Sequence, residues 1–153
     1  MVSPRQQQSV IRVEDSEAVE FARMVEQGLS DDLRRLHADL MEEESRLTAL
    51  EEIRRHSMRD FEALSDQGVT TVEAAMYYTL FHHLTQEITI QGRLVLNARH
   101  RVSDKQTAVR AAREDRLMAE RVHHDAAIGS RPAALGARRG PWAPHGPALK
   151  KAS

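Results

Sequence analysis

Between Pro4 and Pro132 the chain contains no proline, and only Gly28, Gly68 and Gly92 interrupt that span before Gly129 near its end. So long a stretch without a helix breaker has room for two long helices and little else. Within it Leu29, Leu33, Leu36, Leu40, Leu47, Leu50, Phe61 and Leu64 recur at alternating four- and three-residue steps, with Glu43, Arg54 and Ser57 in the remaining places. That stripe is a heptad repeat whose a and d positions line one seam. With Leu33 at a and Leu36 at d, the frame holds from Leu29 to Leu64 without a slip. The spacing predicts a first helix over residues 17–64, with residues 1–15 as a flexible N-terminus. A start near Ser16 and a break at Gly28, with Ser30 as a fresh N-cap, are both compatible with it.

Ser65, Asp66, Gln67 and Gly68 then break the pattern, and Thr70 with Glu73 three residues later forms a capping-box signature. The chain is predicted to reverse over 65–71 and to form a second helix over 72–128. Its own stripe comprises Ala74, Tyr77, Phe81, Leu84, Ile88, Val95, Ala98, Val102, Val109, Ala112 and Ala119, interrupted by Gln91, Lys105 and Arg116. Gly129 and Pro132 supply the stop. A helix of about 50 residues spans roughly 75 Å, so the object is a rod.

If the two stripes pair antiparallel, the g positions of one helix lie beside those of the other, and facing residues have numbers that add to about 133. Arg46 then meets Glu87, Asp32 meets Arg101, Ile53 meets Leu80 and Val25 meets Ala108. Ion pairs of this kind contribute a few tenths of a kcal/mol, enough to select a register and too little to stabilise the fold.

Composition agrees with a rod. Aromatic residues make up 4% of the chain against 29% charged residues, so the rings that dominate globular cores are scarce despite 41% hydrophobic content. The expected fold is all-α, an antiparallel two-helix coiled-coil hairpin with a disordered C-terminal tail. That tail, residues 129–153, holds four of the five prolines, four of the seven glycines, five Arg or Lys and no acid, with Trp142 as its one Phe, Trp or Tyr. Too little apolar surface is present there to drive folding. Cysteine is absent, which removes disulfides and thiolate metal sites and makes a reducing compartment the simplest setting. No run approaches the roughly 18 apolar residues of a membrane span, and residues 1–8 lack the apolar core of a signal peptide. A cytoplasmic protein without membrane insertion is expected.

The motifs that resemble chemistry are weak. Glu120 and His123 have Glu-x-x-His spacing, His56 precedes Asp60 by four, and His83 precedes Glu87 by four. A carboxylate-bridged di-iron site needs two Glu-x-x-His pairs and four helices, whereas this chain offers one pair and two helices. His56 and His83 fall at c positions, where a surface histidine is the ordinary explanation, and the paired histidines starting at 82 and 123 read the same way. Each internal glycine stands alone, so no phosphate-cradling loop is expected. Catalysis requires a concave site that excludes water, which a two-helix rod scarcely provides. Neither an enzyme, a cofactor, a metal nor a small-molecule substrate is expected. Seven Arg or Lys against five acids in residues 97–125 fit a solvated helix face better than a nucleic-acid footprint.

One edge of the rod stands out. Ile53, Leu80, Leu94 and Val122 place apolar side chains at g, widening the apolar surface toward one flank near the turn. They either complete the hairpin's own contacts or offer a docking surface.

With this architecture the sequence resembles the FliJ/YscO family of flagellar and virulence type III export proteins, over about residues 33–126. The carriers are RLTALEEIRRHSMRDFEAL at the end of the first helix, the glycine turn, YYTLFHHLTQEITIQGRLVL at the start of the second, and the later run RAAREDRLMAERVHHDA. The resemblance implies docking on the cytosolic domain of the export gate through Gln-x3-Leu-x2-Tyr-x3-Tyr on helix one and Phe-x3-Leu-x2-Ala-x3-His on helix two. The aligned residues are Arg46, Leu50, Ile53 and Ser57, then Leu80, Leu84, Glu87 and Gln91. Leu50 and Leu84 match, Ile53 and Leu80 keep apolar character, and Arg46, Ser57, Glu87 and Gln91 depart. For Leu50 and Leu84 a place in the core is the simpler assignment. The resemblance also implies stalk-like insertion into the hexameric export ATPase. Arg99, Arg101, Arg110, Arg113 and Arg121, at the end remote from the turn, are the candidate contacts.

The function expected from the resemblance is that of an export accessory protein, cytoplasmic and peripheral to the inner-membrane export apparatus. It would link ATPase to gate and assist export chaperones and their substrates. Two alternatives stay open. A coiled-coil scaffold could self-associate through the widened flank, whereas the export reading implies mostly monomer. Nucleic-acid binding through the basic tail would be steeply salt-dependent.

Overall fold

The computed structural model describes residues 4–129. They form two helices, α1 (Pro4–Gln67, 64 residues) and α2 (Thr71–Gly129, 59 residues), joined by a three-residue turn and packed against each other as an antiparallel hairpin. At 1.5 Å per residue α2 is roughly 90 Å long, so the seam runs the length of a thin rod. No described helix is long and apolar enough to cross a membrane.

α1 starts at Pro4, well before the expected residue 17, so residues 4–15 are helical where a flexible segment is expected. Proline suits the first helical turn, where its missing N–H has no partner to lose, and Arg5, Gln6, Gln7 and Gln8 after it favour helix. Gly28 does not break α1 either. The Ser30 hydroxyl donates to the Glu26 carbonyl at 2.8 Å, a bond made within a continuing helix, so Ser30 is not an N-cap. The expected tail, with Trp142, lies beyond the described residues except for Gly129, which ends α2.

The turn forms as its residues dictate. Gly68 has φ +98°, a conformation that costs residues with a Cβ but not glycine, and its N–H donates to the Ser65 carbonyl at 3.3 Å. The capping box closes from both sides. The Glu73 N–H donates to Thr70 Oγ1 at 3.3 Å, and the Thr70 N–H donates to Glu73 Oε2 at 2.9 Å. The Thr70 hydroxyl also donates to Glu73 Oε2, at 2.8 Å, and the bonds to that oxygen, from the Thr70 N–H first and its hydroxyl second, hold the Glu73 carboxyl below its ordinary pKa.

The α1 stripe is half-buried at Leu29, Leu33, Leu36, Leu40, Leu47, Leu50, Phe61 and Leu64, while Leu84, Val95, Ala98, Val102 and Ala112 of the α2 stripe are buried. From Val95 to Ala112 the smaller buried residues of α2 lie along the leucines of α1, which lets the helices approach closely there. Even so, Ala98 keeps 2% of its surface exposed. A two-helix seam has no third layer to seal it.

Candidate partner-binding surfaces

Ion pairs across the seam fix the register. Arg99 Nη2 lies 2.7 Å from Glu44 Oε1, and Arg23 Nη2 lies 2.9 Å from Glu120 Oε1. Going from Arg23 to Glu44 climbs three heptads of α1, and going from Glu120 to Arg99 descends three heptads of α2. Both pairs occupy e positions in the frame set by Leu33. The sequence analysis placed the pairing on the other edge, at g, and there the structure differs. Arg46 turns back to Glu42 and Glu43 of its own helix instead of crossing to Glu87. Asp32 takes Lys105, at 3.4 Å, and Arg35, at 4.0 Å, in place of Arg101. For Arg46, partners one helical turn away cost less ordering of a long side chain than a partner across the seam; Asp32 still crosses the seam, but to Lys105.

The two ends of the rod differ in what they present. At the turn, Phe61 packs against Tyr77, Tyr78 and Phe81 with ring centroids 5.1, 5.8 and 5.9 Å apart, the last edge-on. Beside this cluster α2 displays Val72 and Met76, which are 70% and 68% exposed, and Leu80, which is 38% exposed. Together with Thr71, Ala75, Thr79 and His83 they line a shallow, mostly apolar groove. Ile53 of α1, 51% exposed, adds apolar surface on the g edge.

At the remote end the seam is polar. Glu26 accepts from Arg113 Nε at 3.1 Å and from Arg116 Nε, while Glu120 accepts from Arg23 and from Arg116 Nη1 at 2.9 Å. Arg116 and Glu26 both occupy a positions, so this network replaces an apolar layer. The hydrogen bond from Arg116, and then that from Arg113, holds the Glu26 carboxyl below its usual pKa, and Arg23 followed by Arg116 does the same for Glu120. The Arg116 guanidinium is held protonated more firmly by Glu26 and Glu120.

The eight residues aligned with the gate-docking pattern therefore separate. Ile53, Leu80 and Arg46 are exposed, Leu50, Ser57 and Glu87 are half-buried, and Leu84 and Gln91 are buried. Gln91 belongs to the seam: its amide donates to the Glu43 carbonyl at 3.0 Å and to the Glu43 carboxylate. Its place is in the seam and not on the docking edge, because the residue is 8% exposed and its amide N–H groups are engaged by Glu43. Leu84 likewise is core. Of the candidate arginines, Arg99 and Arg113 are engaged with Glu44 and Glu26, whereas Arg101, Arg110 and Arg121 are exposed and make no ion pair among the described residues. His56 and His83 are exposed, and no cluster of metal-ligating side chains forms among the described residues.

The sequence analysis missed the aromatic cluster as a unit and the Glu26–Arg116 layer. The signal for the second was present: acid and base at a positions that meet in the same register. No family model matches the chain, and no curated protein or solved structure matches it either.

Proposed function

We propose that this chain is a non-enzymatic adaptor rod of the FliJ/YscO type, linking a hexameric export ATPase to the cytosolic domain of an export gate and assisting export chaperones. The observation that supports this reading most is the division of the rod's surface. An exposed apolar edge, Ile53 and Leu80 with Val72 and Met76, lies at the turn, while Arg101, Arg110 and Arg121, exposed and without an ion pair among the described residues, lie toward the remote end. An apolar edge with a polar surround suits a protein partner, and exposed guanidinium groups suit an acidic one. Under this reading the turn end meets the gate and the arginine end meets the ATPase, at the cytoplasmic face of the inner membrane.

The test is titration of the full chain against a purified gate cytosolic domain. Leu80→Asp is expected to weaken binding at least about tenfold, since burying an unpaired carboxylate costs more than the lost apolar contact. Its helicity should remain that of the parent, because Leu80 lies outside the seam. Unaltered affinity would remove this edge as the gate-docking site.

A further inference from the structure

Outside the seam, α2 carries a second stripe, on c and g positions, that no other described element covers. Along it run Met76, Leu80, His83, Glu87, Ile90 and Leu94, spaced by three or four residues and therefore on one face. Met76 is 68% exposed, Leu80 38%, Ile90 53% and Leu94 44%. α1 is the one other described element, and it packs against the a and d face. Neither His83 nor Glu87 has a hydrogen bond or ion pair among the described residues. Polar Glu73 and Asn97 bound the stripe at its two ends.

The order of residue types along it is the same from either direction: two apolar, two ionisable, two apolar. Laid antiparallel on itself, Met76 of one copy faces Leu94 of the other, Leu80 faces Ile90, and His83 faces Glu87. Each contact then occurs twice about a two-fold axis, as a self-complementary interface requires. A parallel arrangement would instead set Glu87 against Glu87, which like charge disfavours.

We infer that this stripe is a self-docking surface, occupied by a second copy of the chain whose α2 runs antiparallel across residues 76–94. The inference does not rest on the adaptor reading. It departs from the monomer which that reading implies, since the dimer covers Leu80 and self-association and partner docking become mutually exclusive.

The chain has no cysteine of its own, so single introduced cysteines report the register directly. Full-length Met76→Cys and Leu94→Cys variants, mixed under mild oxidation, should give disulfide-linked dimer at least about tenfold above either variant alone. In this register two copies of residue 76 are separated by roughly 27 Å of helix, far beyond disulfide reach. Equal cross-linking in all three samples, or none in the mixture, would overturn the inference. A charge exchange tests the centre of the stripe in the sedimentation of uncross-linked protein. His83→Glu should shift the mass toward monomer, and the double variant H83E/E87H, which again sets a histidine opposite each glutamate across the axis, should recover the dimer. A double variant as monomeric as H83E, with helicity unchanged in both, would equally sink the proposal.

Discussion

The turn end and the remote end of the hairpin close the same seam by opposite means. Near the turn, Phe61, Tyr77, Tyr78 and Phe81 stack into a cluster of rings whose attraction comes from apolar burial and ring geometry. At the other end Arg23, Glu26, Arg113, Arg116 and Glu120 form a chain of charge-assisted hydrogen bonds around a seam position. The first kind of contact is nearly indifferent to salt and to pH. The second depends on both. A rod built this way has one end that holds under most conditions and one whose closure follows the solution.

The largest expected effect tests the ring end. Phe61→Ala removes the ring that touches the other three, and should cost about 3 kcal/mol in urea unfolding, with the loss concentrated near the turn. A variant that unfolds like the parent would show that the rings do not hold that end. Next comes Gly68→Ala. Its added Cβ meets no atom within 4 Å, so the penalty is conformational alone, about 1 kcal/mol for a positive φ.

Smaller effects belong to the charged end. Glu26→Gln should leave the unfolding midpoint almost unchanged while speeding amide exchange roughly threefold around residues 19–33 and 109–123, with the turn region unaffected. Uniform acceleration along the rod would erase the distinction between the ends. Acid should act in the same place. Glu26 and Glu120 have folded-state pKa values below their ordinary 4.5, so their contribution is present above that value and is lost as pH falls through the lower folded values. Protection from exchange at the remote end should therefore fall, relative to the turn end, as pH drops below 4.5, and about 1 M salt at neutral pH should reproduce part of the effect.

Much of the fold was legible because its determinants are local. The heptad steps from Leu29 to Leu64, the breaker at Gly68 and the Thr70–Glu73 box each lie within a few residues, and each forms as expected. The choice of edge was not legible. Periodicity assigns Arg46 and Glu87 to facing g positions, yet it says nothing about the competition from Glu42 and Glu43 on Arg46's own helix. The start of α1 was missed because the seam pattern fades before Leu29, although helix propensity persists without it. Gln91 illustrates the limit for the candidate site. Its position in a docking pattern and its position in the seam are the same position, and only the partner Glu43 decides between them.

With nothing but Gly68, Val69 and Thr70 between the helices, the turn has no slack. Whatever sets its length also sets the phase of every layer along the rod, because each heptad of α2 finds its counterpart by counting back from there. One inserted residue would swing the α2 stripe by about 100° unless the loop absorbed it, and would reach the arginines of the remote end as surely as the rings beside it. Three residues at one tip therefore govern which surfaces the whole length displays.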